Sequence, residues 1–196
     1  MQAARVTLFW TSGIGHSEQA SRYIARADEV LRQYGMYLDC MPGVLASSQF
    51  SLNWNDPIDV NYDPHSPGLS LTKGQAAMLK LRGLGDAAYK DTKPRLPVFF
   101  AKLVGANGYT PTETGWWPWC IVDVSRPDAR PETMIHEMGH AALLRHYQKY
   151  EMSSHNIMSY APDRSEFVPL QVSKILKSYY VQGNAPEDGW QNFDFG

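Results

Sequence analysis

Five consecutive residues, His136-Glu137-Met138-Gly139-His140, carry the densest chemistry in the chain. On a helix, residues four apart sit about 40° from one another around the axis and about 6 Å apart along it. Two imidazoles so placed can point at one metal ion from the same helix face. Glu137, beside the first of them, can reach a metal-bound water and is suited to act as general base rather than ligand. The same five residues also fit an amphipathic helix with two surface histidines and a surface glutamate, so other residues must decide. His146 follows His140 by six positions. A straight helix would put it about 240° round and about 9 Å further along, facing away. It joins the pair only if the chain leaves the helix in between. Asn156-Ile157-Met158-Ser159-Tyr160 comes shortly afterwards.

Together these residues resemble the metzincin family of zinc endopeptidases, whose pattern is HExxHxxGxxH followed by a methionine turn. The matching positions are His136, Glu137, His140 and His146, with Met158 as the turn methionine. Tyr160, two positions after Met158, is similar to the tyrosine of the astacin and serralysin branches. The resemblance implies one catalytic zinc ion on His136, His140 and His146, with Glu137 as base. It implies that Tyr160 stabilises the oxyanion and that Met158 forms a hydrophobic floor beneath the histidines. It also implies an α/β (α+β) fold: a twisted mixed sheet with a long backing helix, an active-site helix, the methionine turn and a C-terminal helix. The whole of 1–196 is then a single catalytic domain, with an upper subdomain over 1–146 and a small lower one over 147–196. By the same resemblance, 106–114 forms an edge strand that pairs with extended substrate, and 161–163 forms a wall of the pocket. The motif itself covers about residues 131–162. One position departs from the pattern: Leu143 stands where the family has a glycine. A left-handed leucine costs about 1–2 kcal/mol. Structural zinc sites release about 10–16 kcal/mol in peptides, so the departure does not exclude His146.

A rival ligand set stays open. Thermolysin-like enzymes complete HExxH with a glutamate from a later helix. Glu166 lies 26 residues after His140, and Glu151 is nearer. Other readings keep the zinc but change the chemistry: a hydrolase of non-peptide amides, or an inert metallopeptidase-like binding module. Glu137 speaks against a purely structural site, which needs no adjacent base and closes its fourth position with protein. His16, His65 and His155 read as surface or loop histidines, and Cys40 and Cys120 as buried free thiols or one bridge.

The elements that must position these residues are legible in outline. Val6 to Trp10 reads as a first strand. Ser17 can cap a helix to about Tyr34, with apolar residues three and four apart, and Gly35 stops it. Met36 to Cys40 reads as a short strand, 42–70 as mostly irregular, and Thr72 as the cap of a short helix to about Leu81. Pro97 to Leu103 and Trp119 to Val124 read as strands, joined by a polar connection over Gly105 to Gly115. The Gly-Trp-Trp-Pro-Trp-Cys stretch that ends this connection reads as core and sheet packing, with the lining of a substrate groove as the alternative. Pro131 suits the first position of a helix reaching about His146, and a last helix spans Val168 to Tyr180.

Composition narrows the function classes. The 196 residues are 43% hydrophobic and carry a net charge of −2, with no basic stripe. That argues against a nucleic-acid partner. No apolar run reaches the roughly 18 residues of a membrane span. No basic segment followed by an apolar one opens the chain. The expected partner is a protein or peptide substrate, met outside the producing cell.

Overall fold

The computed structural model describes residues 1–10, 18–43, 57–61, 70–111, 118–126, 130–147, 155–161 and 163–183. In chain order the elements are β1 (Gln2–Trp10), α1 (Glu18–Arg32), β2 (Met36–Pro42), β3 (Ile58–Asp59), α2 (Lys73–Thr92), β4 (Leu96–Ala101), β5 (Leu103–Val104), β6 (Gly108–Tyr109), β7 (Cys120–Asp123), α3 (Thr133–Ala141), α4 (Pro169–Lys177) and α5 (Tyr179–Gln182). The fold is mixed α/β. Five strands form one sheet in the order β2-β1-β4-β7-β6; the first four run parallel, and β6 is an antiparallel edge. β3 and β5 form a separate parallel pair.

Alternation along the central strands divides the core in two, because successive side chains of a strand point to opposite faces. Val6 and Leu8 of β1, Val98 and Phe100 of β4, and Cys120 and Val122 of β7 face the helices α1, α3 and α5. Phe9, Phe99 and Ile121 face α2. The register keeps this order, pairing Leu8 with Val98, and Val98 with Cys120. A strand covered on both faces reads as a continuous apolar run, as 97–103 does.

α1 ends as its sequence suggests. Gly35 has φ +73°, with nothing near the position of its missing side chain, so glycine is required there by backbone conformation alone. α2 begins as expected and ends elsewhere. Thr72 Oγ1 accepts from Gln75 N–H at 3.2 Å, and Gln75 Oε1 accepts from Thr72 N–H at 3.0 Å, a reciprocal cap. The helix then runs to Thr92 instead of Leu81. Gly83 and Gly85 lie inside it, and a side chain at Gly85 would lie 2.4 Å from the indole of Trp119. The glycine makes room for a fully buried tryptophan. Pro94 sets the real end, by holding Lys93 in extended backbone.

Further differences follow from tertiary contacts. Segments 42–70 and 105–115 contain the two-residue strands β3 and β6, too short to show a period. α3 starts at Thr133, two residues after Pro131, and stops at Ala141 rather than His146. The last helix breaks at Ser178, whose ψ of 150° separates α4 from α5. Among the described residues no helix is long and apolar enough to cross a membrane. Cys40 and Cys120 are both free thiols.

Candidate metal centre

α3 carries His136, Glu137 and His140, and every residue of it except His140 is buried. Its end brings in the third histidine. Leu144 N–H bonds to Gly139 O at 3.0 Å and Leu143 N–H to His140 O at 2.8 Å, the paired bonds of a Schellman turn. That turn needs a left-handed residue, and Leu143 takes the position with φ +58°. The chain therefore leaves the helix where the sequence analysis required, despite the missing glycine.

The turn aims three imidazoles at one point. The Nε2 atoms of His136, His140 and His146 lie 3.1–3.2 Å from one another. The opposite nitrogens fix the tautomers of two of them. His136 Nδ1 is 2.7 Å from Ile157 O and His140 Nδ1 is 2.7 Å from Leu144 O. A carbonyl only accepts, so each Nδ1 carries the proton and each Nε2 presents a lone pair. Burial above all pushes the His136 pKa down to about 3 and the His140 pKa to about 4, and it lowers that of His146. Lone pairs facing one another at this distance repel unless a cation lies between them. Two ligands of a tetrahedral zinc ion at about 2.0–2.1 Å are themselves about 3.3 Å apart, so the donor set fits that ion. These three are also the single group of potential metal ligands among the described residues.

Glu137 sits in the same cleft, a cavity of about 1260 Å³. Thr110 Oγ1 donates to its Oε2 at 2.7 Å. Gly108, on the edge strand β6, lies so close that a side chain there would come within 2.6 Å of Glu137 Oε1. Burial raises the Glu137 pKa to about 7, against the opposing effects of the Thr110 hydrogen bond and the Arg164 charge. A carboxyl group so poised can both take up and give back a proton near neutral pH.

The segment after α3 braces it from below. Asn156 Oδ1 accepts from Met158 N–H at 2.9 Å, Ser159 N–H bonds back to Asn156 O, and Gln171 holds the Asn156 amide at 2.8 Å. The tight bend drives the fully buried Met158 against α3, where a side chain at Gly139 would come within 2.4 Å of its Sδ. Tyr160 is 74% exposed, and its hydroxyl lies 3.1 Å from His146 Nδ1 and 3.2 Å from Nε2.

The structure thus brings His136, Glu137, His140, His146 and Tyr160 to one cleft, with Met158 behind it. Glu166 is not among them: its side chain is exposed, while its carbonyl accepts from Ile157 N–H at 2.8 Å. His155 is exposed, with Nδ1 2.9 Å from Asp163 O. Glu151, His16 and His65 lie outside the described residues, as do Trp116 and Trp117. Sequence reasoning placed 106–114 at the cleft but did not single out Gly108 or Thr110. It missed Arg164 altogether, a buried cation with Nη1 3.2 Å from His136 Nδ1. No local spacing marks any of the three.

No family model matches this chain, and no curated protein does. Among solved structures the chain is similar to archaemetzincin from Methanopyrus kandleri, at 13% identity and a TM-score of 0.49, covering 89% of this chain and 95% of that one.

Proposed function

We propose that this chain is a zinc-dependent endopeptidase of the metzincin type, acting on protein or peptide substrates. The observation that carries the reading is three inward-facing Nε2 atoms beside a buried carboxyl group in one open cleft. His136, His140 and His146 would hold the ion, leaving a position free of protein ligands. A bound zinc ion supplies Lewis acidity toward a carbonyl and lowers the pKa of water that it holds. Glu137 does the proton work. Its carboxylate takes a proton from the water that attacks the scissile carbonyl, and its acid form returns that proton to the leaving amine. Thr110 holds the Oε2 edge of the carboxyl group, and Gly108 leaves it room. The Tyr160 hydroxyl, on the open side of His146, donates to the developing oxyanion. Met158 works without touching the ion, by supporting α3 beneath the histidines. In this reading 1–146 form the upper part of one catalytic domain and 147–196 the lower.

The test compares purified wild type with Glu137→Ala, measuring zinc per chain and cleavage of denatured proteins and peptide libraries. One zinc in each is expected, with cleavage reduced by about 10²–10⁴-fold in the variant. His146→Ala is expected to lose most of its zinc, and Glu166→Ala to keep it. Zinc in both forms without cleavage by either would point to a non-peptide amide or to an inert binding module. No zinc in either, after reconstitution, would end the metal-site reading.

A further inference from the structure

Arg130, Arg145, Arg164 and Lys174 line the cleft, and Glu137 is the single carboxyl group among its described lining residues. The chain as a whole has a net charge of −2, so this positive lining is a local feature. None of the four cations forms an ion pair among the described residues. Arg164 is the most unusual of them. It is 8% exposed, and its Nε has no hydrogen-bond partner among the described residues. Its Nη1 meets Ser159 O at 3.2 Å and otherwise faces His136 Nδ1, whose proton is committed to Ile157 O. The carboxylate that acts on it most, Glu132, is already bonded to Arg26 at 3.0 Å. Arg130 is close enough to repel it, and Arg130 itself donates to Ala161 O at 2.6 Å. Two guanidinium groups thus line one cleft, bonded to the carbonyls of Ser159 and Ala161, two residues apart in the chain, with donors to spare. Burying a cation is costly, and the carboxylates that favour the charge of Arg164, Glu132 and Glu137, act on it from a distance without forming an ion pair with it among the described residues.

We propose that Arg164 and Arg130 form a carboxylate-binding subsite, so that the cleft selects substrates with an acidic group next to the bond to be cleaved. Arg164 Nη1 is 3.2 Å from His136 Nδ1, about one imidazole ring from the three-nitrogen cluster. An extended chain advances about 3.3–3.6 Å per residue. A carboxylate within one or two residues of the scissile carbonyl therefore reaches the pair. Guanidinium groups bind carboxylates through two parallel hydrogen bonds. Arg145 and Lys174 add to the field that draws an anion into the cleft. The carboxylate is that of an aspartate or glutamate side chain, or of the substrate's own C-terminus. The location of the cleaved bond rests on the peptidase reading above; the carboxylate subsite does not.

The experiment measures binding and cleavage separately. Zinc-loaded Glu137→Gln protein is titrated with fluorescent octapeptides that move one glutamate, or one glutamine, through each position, with free or amidated C-termini. Glutamate is expected to bind about tenfold or more tightly than glutamine at one position. That advantage should shrink with salt and disappear in Arg130→Gln and Arg164→Gln. Arg130 is the less buried of the two, so its variant carries the test if Arg164→Gln fails to fold. An advantage kept by amidated peptides assigns a side chain; one confined to free acids assigns the terminus. Equal binding of both peptide series, a preference that survives both substitutions, or no binding at all would overturn the subsite. Wild type is then assayed for cleavage of the same peptides. Preferential binding without cleavage would remove the peptidase reading and leave the subsite; cleavage without acidic preference would do the reverse.

Discussion

α2 and α3 are built on opposite principles. α2 has 20 residues, a reciprocal cap at its start, a proline beyond its end, and one buried stripe from Ala77 to Tyr89. Much of what makes it a helix lies within its own sequence. α3 has nine residues, no side-chain cap, and a leucine in the left-handed position that ends it. A helix of that length is marginal in water by itself. It is held from outside: Ile157 O takes His136 Nδ1–H, Tyr180 donates to Met138 O at 2.8 Å, and Met158 presses on Gly139. Of these two, the helix that carries the candidate site is the less able to form alone. Its geometry is set by the surroundings, and changes to those surroundings should reach the site. Changes to α2 should cost stability alone.

Chelation should separate the two most strongly. Removing zinc should abolish cleavage and, where zinc had been in thousandfold excess over its Kd, cost about 4 kcal/mol of stability. Hydrogen exchange should then rise over 136–146 well before it rises over 73–92. Equal exposure of both helices would show that the metal supports the fold as a whole. The next contrast applies one substitution to both. Gly85→Ala drives a methyl group into Trp119, and Gly139→Ala drives one into Met158. Each should cost about 1–3 kcal/mol of overpacking, offset by about 1 kcal/mol of helix propensity. Thermal melts should show similar losses, while zinc titration should show weakened affinity for Gly139→Ala alone.

pH should act through α3 as well. Below pH 6.5, unfolded His136 and His140 take up protons that the folded rings refuse until about pH 3 and 4. Folded Glu137 opposes this, holding a proton up to about pH 7 that the unfolded residue releases above 4.5. Between pH 4.5 and 6.5 the unfolded chain therefore binds one more proton than the folded one. The chelated protein should lose about 1.4 kcal/mol of stability for each pH unit of acidification there, and His146 acts in the same direction. Flat denaturation midpoints across that range would mean that the histidines are not buried as neutral rings. The helix ends provide the smallest effects. Thr72→Ala should cost about 1 kcal/mol. Leu143→Gly should gain up to about 1 kcal/mol by relieving the left-handed leucine.

Much of the frame was legible because it depends on residues close in sequence. The alternation of β1 and β4, the stop at Gly35, the Thr72 cap and the spacing of His136 and His140 each involve neighbours within about four positions. The expected end of α2 failed for the opposite reason: Gly85 answers to Trp119, 34 residues away. The split at Ser178 was likewise invisible in a run of well-spaced apolar residues. At the site, local sequence identified the histidines and Glu137, and resemblance supplied roles for Met158 and Tyr160. By itself, then, the sequence determined which groups could do chemistry and that His146 required a bend after His140. The tertiary structure alone decided that Leu143 makes the bend, that Thr110 and Gly108 close on Glu137, and that Arg164 stands beside His136. Those contacts join residues 27–29 positions apart, and their energies exist only once the sheet edge, α3 and the segment after Met158 have packed together.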